Sequence, residues 1–312
     1  MDITKPGVLE SLFRTLNTYF QAGINIQTGT PIDFAISEFQ SSGPENWYPW
    51  MDFIDGFKEL VGERQFGNVK TQLFKVLNRT FVEQVSIKYE TIKDNNENGV
   101  VNIYGPLVQM MANNWPLLQR ELVFETLFSN PKTWTDTELF GTHTLDDKGK
   151  IKITNLTSAA FTKTAFVTAI TAAAKWTFVN GKLVRPRWTH ALCGQSTYET
   201  VKRTFQENDI VTFNATGDQN PATGVVAAAA SPNPYANFVE VVRVEDIGNN
   251  NVYLLDCSKP VKPIARQIRE VPAPKMDTDP SFVEKQMKTD FFATARAAAA
   301  PTFPWLAYAF VP

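Results

Sequence analysis

The sequence predicts an α+β protein, on two hydrophobic periods and one composition. Over residues 104–130 apolar side chains recur at helical spacing: Leu107, Met111, Trp115, Leu118 and Leu122 fall at steps of four, four, three and four, while Gln109, Asn113, Gln119 and Arg120 lie elsewhere. Just upstream, over residues 72–92, the period is two, with Val85, Ile87 and Tyr89 alternating with Ser86, Lys88 and Glu90, and Phe74 and Val76 flanking Lys75. At 43% hydrophobic and 12% aromatic over 312 residues, the chain has apolar surface enough to offset the entropy of ordering. A long hairpin followed directly by a long central helix is an unusual order for a soluble enzyme.

In the central helix Pro106 sits near the predicted start, where a missing N–H costs nothing, and Asn130-Pro131 closes it, because the residue before a proline leaves the helical region. Pro116 lies inside and removes one backbone bond, so the segment is either a bent helix or two helices in line. Pro116 is the expected kink.

An earlier helix spans residues 8–22. Leu9, Leu12, Phe13, Leu16 and Phe20 share one face, and Gly23 is placed to end it. It serves as a core helix or as an arm that packs on another subunit. The aromatic cluster Trp47, Tyr48, Trp50, Phe53 and Phe57 is expected to be buried. Two long strands then fold around the turn-like Asn78-Arg79. Such a hairpin, with one polar face and no third strand nearby, needs a surface to lie on, and a neighbouring subunit would supply it. Leu77, Asn78, Arg79, Thr80 and Phe81 at its tip, with Phe13 and Phe20 of the first helix, are therefore the candidate inter-subunit contacts.

Further on, residues 134–147 read as a loop and 157–174 as an Ala/Thr-rich helix packing through Phe161, Ala165, Phe166 and Ile170. Asn180-Gly181 marks a turn, residues 187–193 a buried strand, and residues 197–205 a short helix with a Ser/Thr cap. Residues 217–234 carry neither period and read as an exposed loop. The β-rich runs 238–244 and 252–255 flank Gly248-Asn249-Asn250-Asn251 and read as a hairpin. Prolines interrupt 260–274, residues 280–290 read as helical, and 305–311 as a terminal apolar strand.

No catalytic constellation emerges. His143 and His190 are the only histidines, and the only cysteines, Cys193 and Cys257, are far apart, so neither a zinc site nor a cofactor is expected. His190 and Cys193 on one strand would point to opposite faces. The run Gly217 to Gly224 lacks the Gly-Lys-Ser/Thr ending of a phosphate-binding loop, and Asp146, Asp147, Asp277 and Asp279 suit solvated turns. A formal net charge of −2 implies weak duplex binding, through local clusters such as Lys202 and Arg203 or Lys262, Arg266 and Arg269, for which a solvated structural face is the simpler role. The first residues lack the regions of a signal peptide and no run reaches the length of a membrane span, so no membrane partner is expected and the chain should stay where it is made, in a reducing compartment.

Several stretches together resemble a known family. Asn78-Arg79-Thr80-Phe81-Val82-Glu83, Val85-Ser86-Ile87, Ile92-Lys93-Asp94-Asn95, Tyr104-Gly105-Pro106-Leu107 and Glu121-Leu122-Val123-Phe124 resemble, in order and spacing, the major head subunit of Mu-like phages and prophages. Phe140-Gly141-Thr142-His143, Arg187-Trp188-Thr189-His190 and Tyr253-Leu254-Leu255-Asp256-Cys257-Ser258-Lys259-Pro260 continue the likeness, whereas Ala297-Ala298-Ala299-Ala300-Pro301 stands where that family carries a Gly-rich stretch.

The resemblance implies a tailed-phage major capsid protein of the Hong Kong 97 type, with an N-terminal arm, an extended hairpin loop, a spine helix, and peripheral and axial domains. It would divide the chain into an arm and entry to the peripheral domain (1–57), the extended loop (58–96), a peripheral domain with the spine (97–154), an axial domain (155–234) and a return through the peripheral domain (235–312). It also implies a structural protein without catalysis that assembles as hexamers and pentamers into an icosahedral shell around the genome. Its partners would be copies of itself, a portal and a scaffolding protein, with packaged double-stranded DNA contacted weakly. Assembly would occur in the host cytoplasm and the product would reside in the virion. An encapsulin-like compartment shell, or another structural head protein, is the alternative.

Overall fold

The computed structural model describes residues 7–26, 31–51, 71–146, 148–206, 209–213 and 228–312. The elements begin with α1 (Val8–Ile24), β1 (Ile36–Gln40), β2 (Glu45–Met51), β3 (Thr71–Leu77), β4 (Arg79–Lys88), α2 (Tyr89–Asp94) and α3 (Glu97–Phe128). There follow β5 (Thr142–Thr144), β6 (Lys152–Thr154), β7 (Leu156–Thr157), α4 (Lys163–Ala173), β8 (His190–Cys193) and α5 (Gln195–Gln206). Next come β9 (Asp209–Phe213), β10 (Ala228–Pro232), β11 (Glu240–Arg243), β12 (Val252–Leu255) and β13 (Ile264–Met276). The chain ends with α6 (Pro280–Gln286), β14 (Lys288–Pro301) and β15 (Ala307–Phe310). It divides into two compact units, one from residues 1–49, 73–131 and 264–301, the other from 50–72, 132–263 and 302–312.

In the first unit α1 and α3 pack on a four-stranded sheet of order β1-β13-β14-β4. Leu9, Leu12, Leu16 and Phe20 of α1 meet Val100, Val108, Met111 and Ala112 of α3, over Ile87 and Phe291 of the sheet. On β14 every second residue is buried, from Thr289 through Phe291, Ala293 and Ala295 to Ala297. Phe291 packs against Phe13 and Phe20 with ring centroids at 5.8 and 6.1 Å, and the alanines further along join Trp115 and Leu122 of α3 in a second cluster. Small residues where a helix lies over a sheet let the two backbones approach, which gives the Ala-rich run its use.

Several sequence expectations change here. The central helix begins at Glu97, where the Asn96 side chain accepts the Gly99 N–H at 2.8 Å, so Pro106 lies inside it and not at its start. It continues through Pro116 as one helix, which removes the alternative of two helices in line. Asn130 does end it, in the left-handed region at φ 48° ahead of Pro131. The buried stripe runs through Val108, while Leu107 is 45% exposed. Gly23 does not end α1. A Cβ there would stand 2.2 Å from the carbonyl oxygen of Gln109 and 2.9 Å from the Ala112 Cβ, so glycine is what allows α1 to lie against α3.

The largest change concerns the hairpin. Strands β3 and β4 do not pair around Asn78-Arg79: β4 lies antiparallel to β14, from Arg79↔Ala297 to Lys88↔Lys288, and β3 pairs with β2. The third strand that seemed missing comes from some 200 residues downstream, beyond the reach of local pattern. Residues 89–92, read as the end of the second strand, fall in α2. Strand β13 runs through the proline-rich stretch because only Ile264 to Ile268 pair with β1, which leaves Pro272 and Pro274 on an open edge where no N–H is needed.

The second unit has a five-stranded sheet of order β11-β8-β12-β15-β7. Strand β8 lies parallel to β11 and antiparallel to β12, so the expected hairpin of 238–244 with 252–255 is opened by an inserted central strand. Ala191, Leu192 and Cys193 are fully buried, as a strand flanked on both edges requires. Phe161, Phe166, Phe205 and Phe310 pack against one another at 4.8–6.3 Å beside this sheet. Thr162 caps α4 by accepting the Ala165 N–H at 3.1 Å. Part of the expected 134–147 loop forms β5, paired with β6, and part of the expected 217–234 loop forms β10, paired with β9. Residues 217–224, Phe53, Phe57 and Asp147 lie outside the described residues.

Candidate assembly surface

Asn78 occupies the corner where the chain passes from one sheet to another. Its backbone N–H donates to the Pro44 carbonyl at 3.0 Å, and its amide donates to Ser41 Oγ at 2.7 Å and to the Gly43 carbonyl at 2.8 Å. Its Oδ1 accepts from the Gln267 amide at 2.9 Å. Gln267, 1% exposed on β13, also donates to the Val76 carbonyl at 3.2 Å, and its Oε1 accepts the Tyr48 hydroxyl at 2.8 Å. One buried amide thus ties the roots of β2 and β3 to the main sheet. A further tie joins the strands at their surface: Lys75 pairs with Glu45 at 2.5 Å and holds its carboxyl below the ordinary value.

The sequence-derived contact residues therefore serve different ends. Phe20, 1% exposed, spends its apolar area in the subunit's own core, and Phe13 packs half-buried beside it. Asn78 is a structural corner and not a tip. Leu77 is 58% exposed, Arg79 pairs with Glu125 at 2.6 Å, Arg296 Nε donates to Thr80 Oγ1 at 3.2 Å, and Phe81 lies half-buried under the Arg79 guanidinium at 5.3 Å. The aromatic cluster divides too: Tyr48 is buried, whereas Trp47 is 52% exposed with Lys75 over its ring.

What periodicity missed is the opposite face of α3. Ile103, Leu107 and Met110, spaced by four and three, are 50%, 45% and 67% exposed. Their line continues to Leu117, which with Leu118, Val82 and Pro272 lines a groove of about 460 Å³ rimmed by Glu83 and Glu121. Asn114 donates its amide to Glu83 at 2.5 Å. An apolar helix face of this length in water marks an interaction surface. The repeat was present in the sequence, but a chain read alone gives no reason to assign a second apolar stripe to a second surface.

The residues considered for chemistry are structural. Burial pushes the Cys193 thiol up to about 12 and that of Cys257 up to about 11, so both stay protonated at neutral pH. His143, fully buried, donates from Nε2 to the Leu139 carbonyl at 3.0 Å and accepts the Thr135 hydroxyl at Nδ1, and burial lowers its pKa. His190 faces Glu240 at 3.4 Å. Arg266 is held by Asp33 and Glu38, Arg269 by Glu270 at 4.0 Å, and Lys262 donates to the Cys257 carbonyl, so these three form no common cationic patch. Among the described residues no group of three or more His, Cys, Asp or Glu could hold a metal ion, and no helix is long and apolar enough to cross a membrane.

A helix pair on a long sheet, a ribbon rooted beside it and a separate mixed-sheet unit define the class: the fold is that of phage capsid subunits. The chain aligns with the procapsid protein of bacteriophage JBD30 over 99% of its own length and 76% of that chain, with a TM-score of 0.51 at 17% identity. It aligns with the capsid of cyanophage P-SCSP1u over 92% and 89%, with a TM-score of 0.52 at 12% identity. The family follows from sequence. Residues 9–175, more than half of the chain, match the Mu-like prophage major head subunit gpT, and the chain belongs to that family. It is 26% identical over 125 residues to the major capsid protein of Escherichia phage Mu, and 24% identical over 128 residues to the FluMu major head subunit of Haemophilus influenzae. These alignments cover 40% and 41% of this chain and span 39% and 40% of the relatives' lengths.

Proposed function

We propose that this chain is the major capsid protein of a phage or prophage head, a structural subunit that assembles with copies of itself into the closed shell around packaged DNA. The observation that carries this reading is the combination of the family's sequence over residues 9–175 with a capsid-subunit fold along nearly the whole chain. Symmetric repetition of one subunit closes a container. The first unit takes the peripheral role, with α3 as spine and α1 in the arm, and the second takes the axial role. Hexamers and pentamers, a portal, a scaffolding protein and assembly in the host cytoplasm follow as parts of the same proposal. Purified subunits should form particles visible by electron microscopy, and a chain that stays monomeric under every salt, pH and scaffold condition would overturn it.

The extended loop is the ribbon of β2 and β3 with residues 52–70 between them, and its partner is the exposed face and groove of α3 on a second copy. Apolar content supports the pairing: Phe53, Phe57, Phe66 and Val69 match an apolar floor, while Lys58, Arg64 and Lys70 are offset by Asp52, Asp55, Glu59 and Glu63. Replacing residues 52–70 with a short Gly-containing turn should leave the melting temperature intact and abolish particles. Loss of folding instead would place that segment in the subunit core. Replacement of residues 76–81 is the wrong cut, because it removes Asn78 and the start of β4.

A bend of α3 at Pro116 completes the proposal. The proline cannot donate to the Ala112 carbonyl, which leaves a weak point, besides that at Pro106, in a 32-residue rod and a means of adapting one subunit to pentameric and hexameric places. Pro116→Ala should fold normally and change particle size or assembly yield; unchanged particles would refute the bend's role.

A further inference from the structure

From residue 148 through 198 the chain has no Asp or Glu but eight cations, in a protein whose formal net charge is −2. Four of them, Lys175, Lys182, Arg185 and Arg187, lie on or directly beside one short hairpin of the second unit and are exposed. The hairpin closes through the Thr177↔Leu183 bridge, with the Val184 N–H donating to the Trp176 carbonyl at 2.9 Å and the Phe178 N–H to the Lys182 carbonyl at 2.8 Å. Trp176 is buried against Trp188 and Tyr308, each at 6.3 Å, and Phe178 meets Trp305 edge-on at 5.2 Å. The cations thus stand on a fixed base. Arg185 holds a left-handed φ of 50°, a conformation that a non-glycine residue keeps only where its surroundings impose it.

Some cations elsewhere are answered by carboxylates, as in Arg79 with Glu125, Lys75 with Glu45, Arg266 with Asp33 and Lys288 with Asp290. Among the described residues none of the four hairpin cations has such a partner. Asp256 touches this stretch through the backbone N–H of Arg187 at 2.9 Å, and its other oxygen is taken by the N–H and hydroxyl of Ser258.

We propose that the hairpin of Lys175, Lys182, Arg185 and Arg187 is a site for the phosphodiester backbone of duplex DNA. The inference rests on the head-shell reading, which brings a duplex within reach, and gives its weak DNA contact a location. Guanidinium forks match phosphate oxygens, and a duplex presents one negative charge per about 1.7 Å, so four unanswered cations can displace up to four counterions. Contacts of this kind to phosphates carry no sequence information.

The test titrates a short fluorescent duplex with soluble protein between about 50 and 200 mM salt, where four phosphate contacts give a log–log slope of about −3 to −4 and roughly a 100-fold loss of affinity. With Lys175, Lys182, Arg185 and Arg187 all changed to Gln, the slope should fall to near zero at an unchanged melting temperature. Lys175→Arg with Lys182→Arg should retain it. A natively melting quadruple variant that keeps the slope, absence of wild-type binding at low salt, or equal competition by polyglutamate per charge would each overturn the assignment. Electron microscopy of the same preparations separates the two readings: shells from a protein with an unchanged slope leave the head function standing and remove only this site.

Discussion

Asn155→Ala should cost the second unit about 3–5 kcal/mol, the sum of several buried polar groups left without partners at about 1–3 kcal/mol each. Asn155 is fully buried, and its amide donates to the carbonyls of Leu139, Pro304 and Ala307 at 2.8, 2.7 and 3.1 Å while its Oδ1 accepts the Gly141 N–H at 2.8 Å. Four backbone groups from two segments far apart in sequence thus meet on one side chain, and water cannot replace it without opening the core. For a unit of this size the melting temperature should fall by about 6–20 °C, followed through the fluorescence of Trp134, Trp176, Trp188 and Trp305. Asn155→Asp should fare no better, since it aims a carboxylate at three carbonyl oxygens. A shift below about 3 °C for the alanine variant would show that those groups find other partners.

Gly23→Ala should separate α1 from α3. In an exposed helix the same change gains up to about 1 kcal/mol in helix propensity, so its sign here is decided by the contact. The added methyl would lie 2.2 Å from a backbone carbonyl oxygen, and a backbone atom inside α3 cannot turn aside as a side-chain tip can. Overpacking of this kind costs about 1–3 kcal/mol, and the upper end applies because the whole helix must lift. Limited proteolysis should cut the first helix free while the remainder resists, and particle yield should drop with it. A Gly23→Ala protein as protease-resistant and as stable as the parent would mean that α1 can re-seat without cost.

Much of the architecture was legible because local physics carries it. The helical stripe over Leu9, Leu12, Leu16 and Phe20, the period-two run as far as Ile87, and the apolar strand at the C-terminal end appear where the pattern puts them, the helix stripe and the terminal strand buried and the period-two run buried at Val76 and Ile87. The candidate contact residues fared differently. Leu77 is exposed as a surface residue should be, but Asn78 and Phe20 look inward, because a polar turn and an apolar helix position read alike whether the subunit or its neighbour takes them.

The sequence by itself determined the class α+β, the position of the long helix and its C-terminal end to within a few residues though not its start at Glu97, and the head-subunit family, since periodicity and motif order are properties of neighbouring residues. Only the tertiary structure decided the strand partners. It set β4 on β14 and placed β8 between β11 and β12, pairings that depend on which distant edges come together. It likewise decided that Gly23 is a contact between helices, that Gln267 holds the root of the ribbon, and that Ile103, Leu107 and Met110 remain in water. The physical reason is common to all of these: a residue's period says which face it shares with its neighbours, whereas what covers that face is settled by chain segments tens to hundreds of residues away.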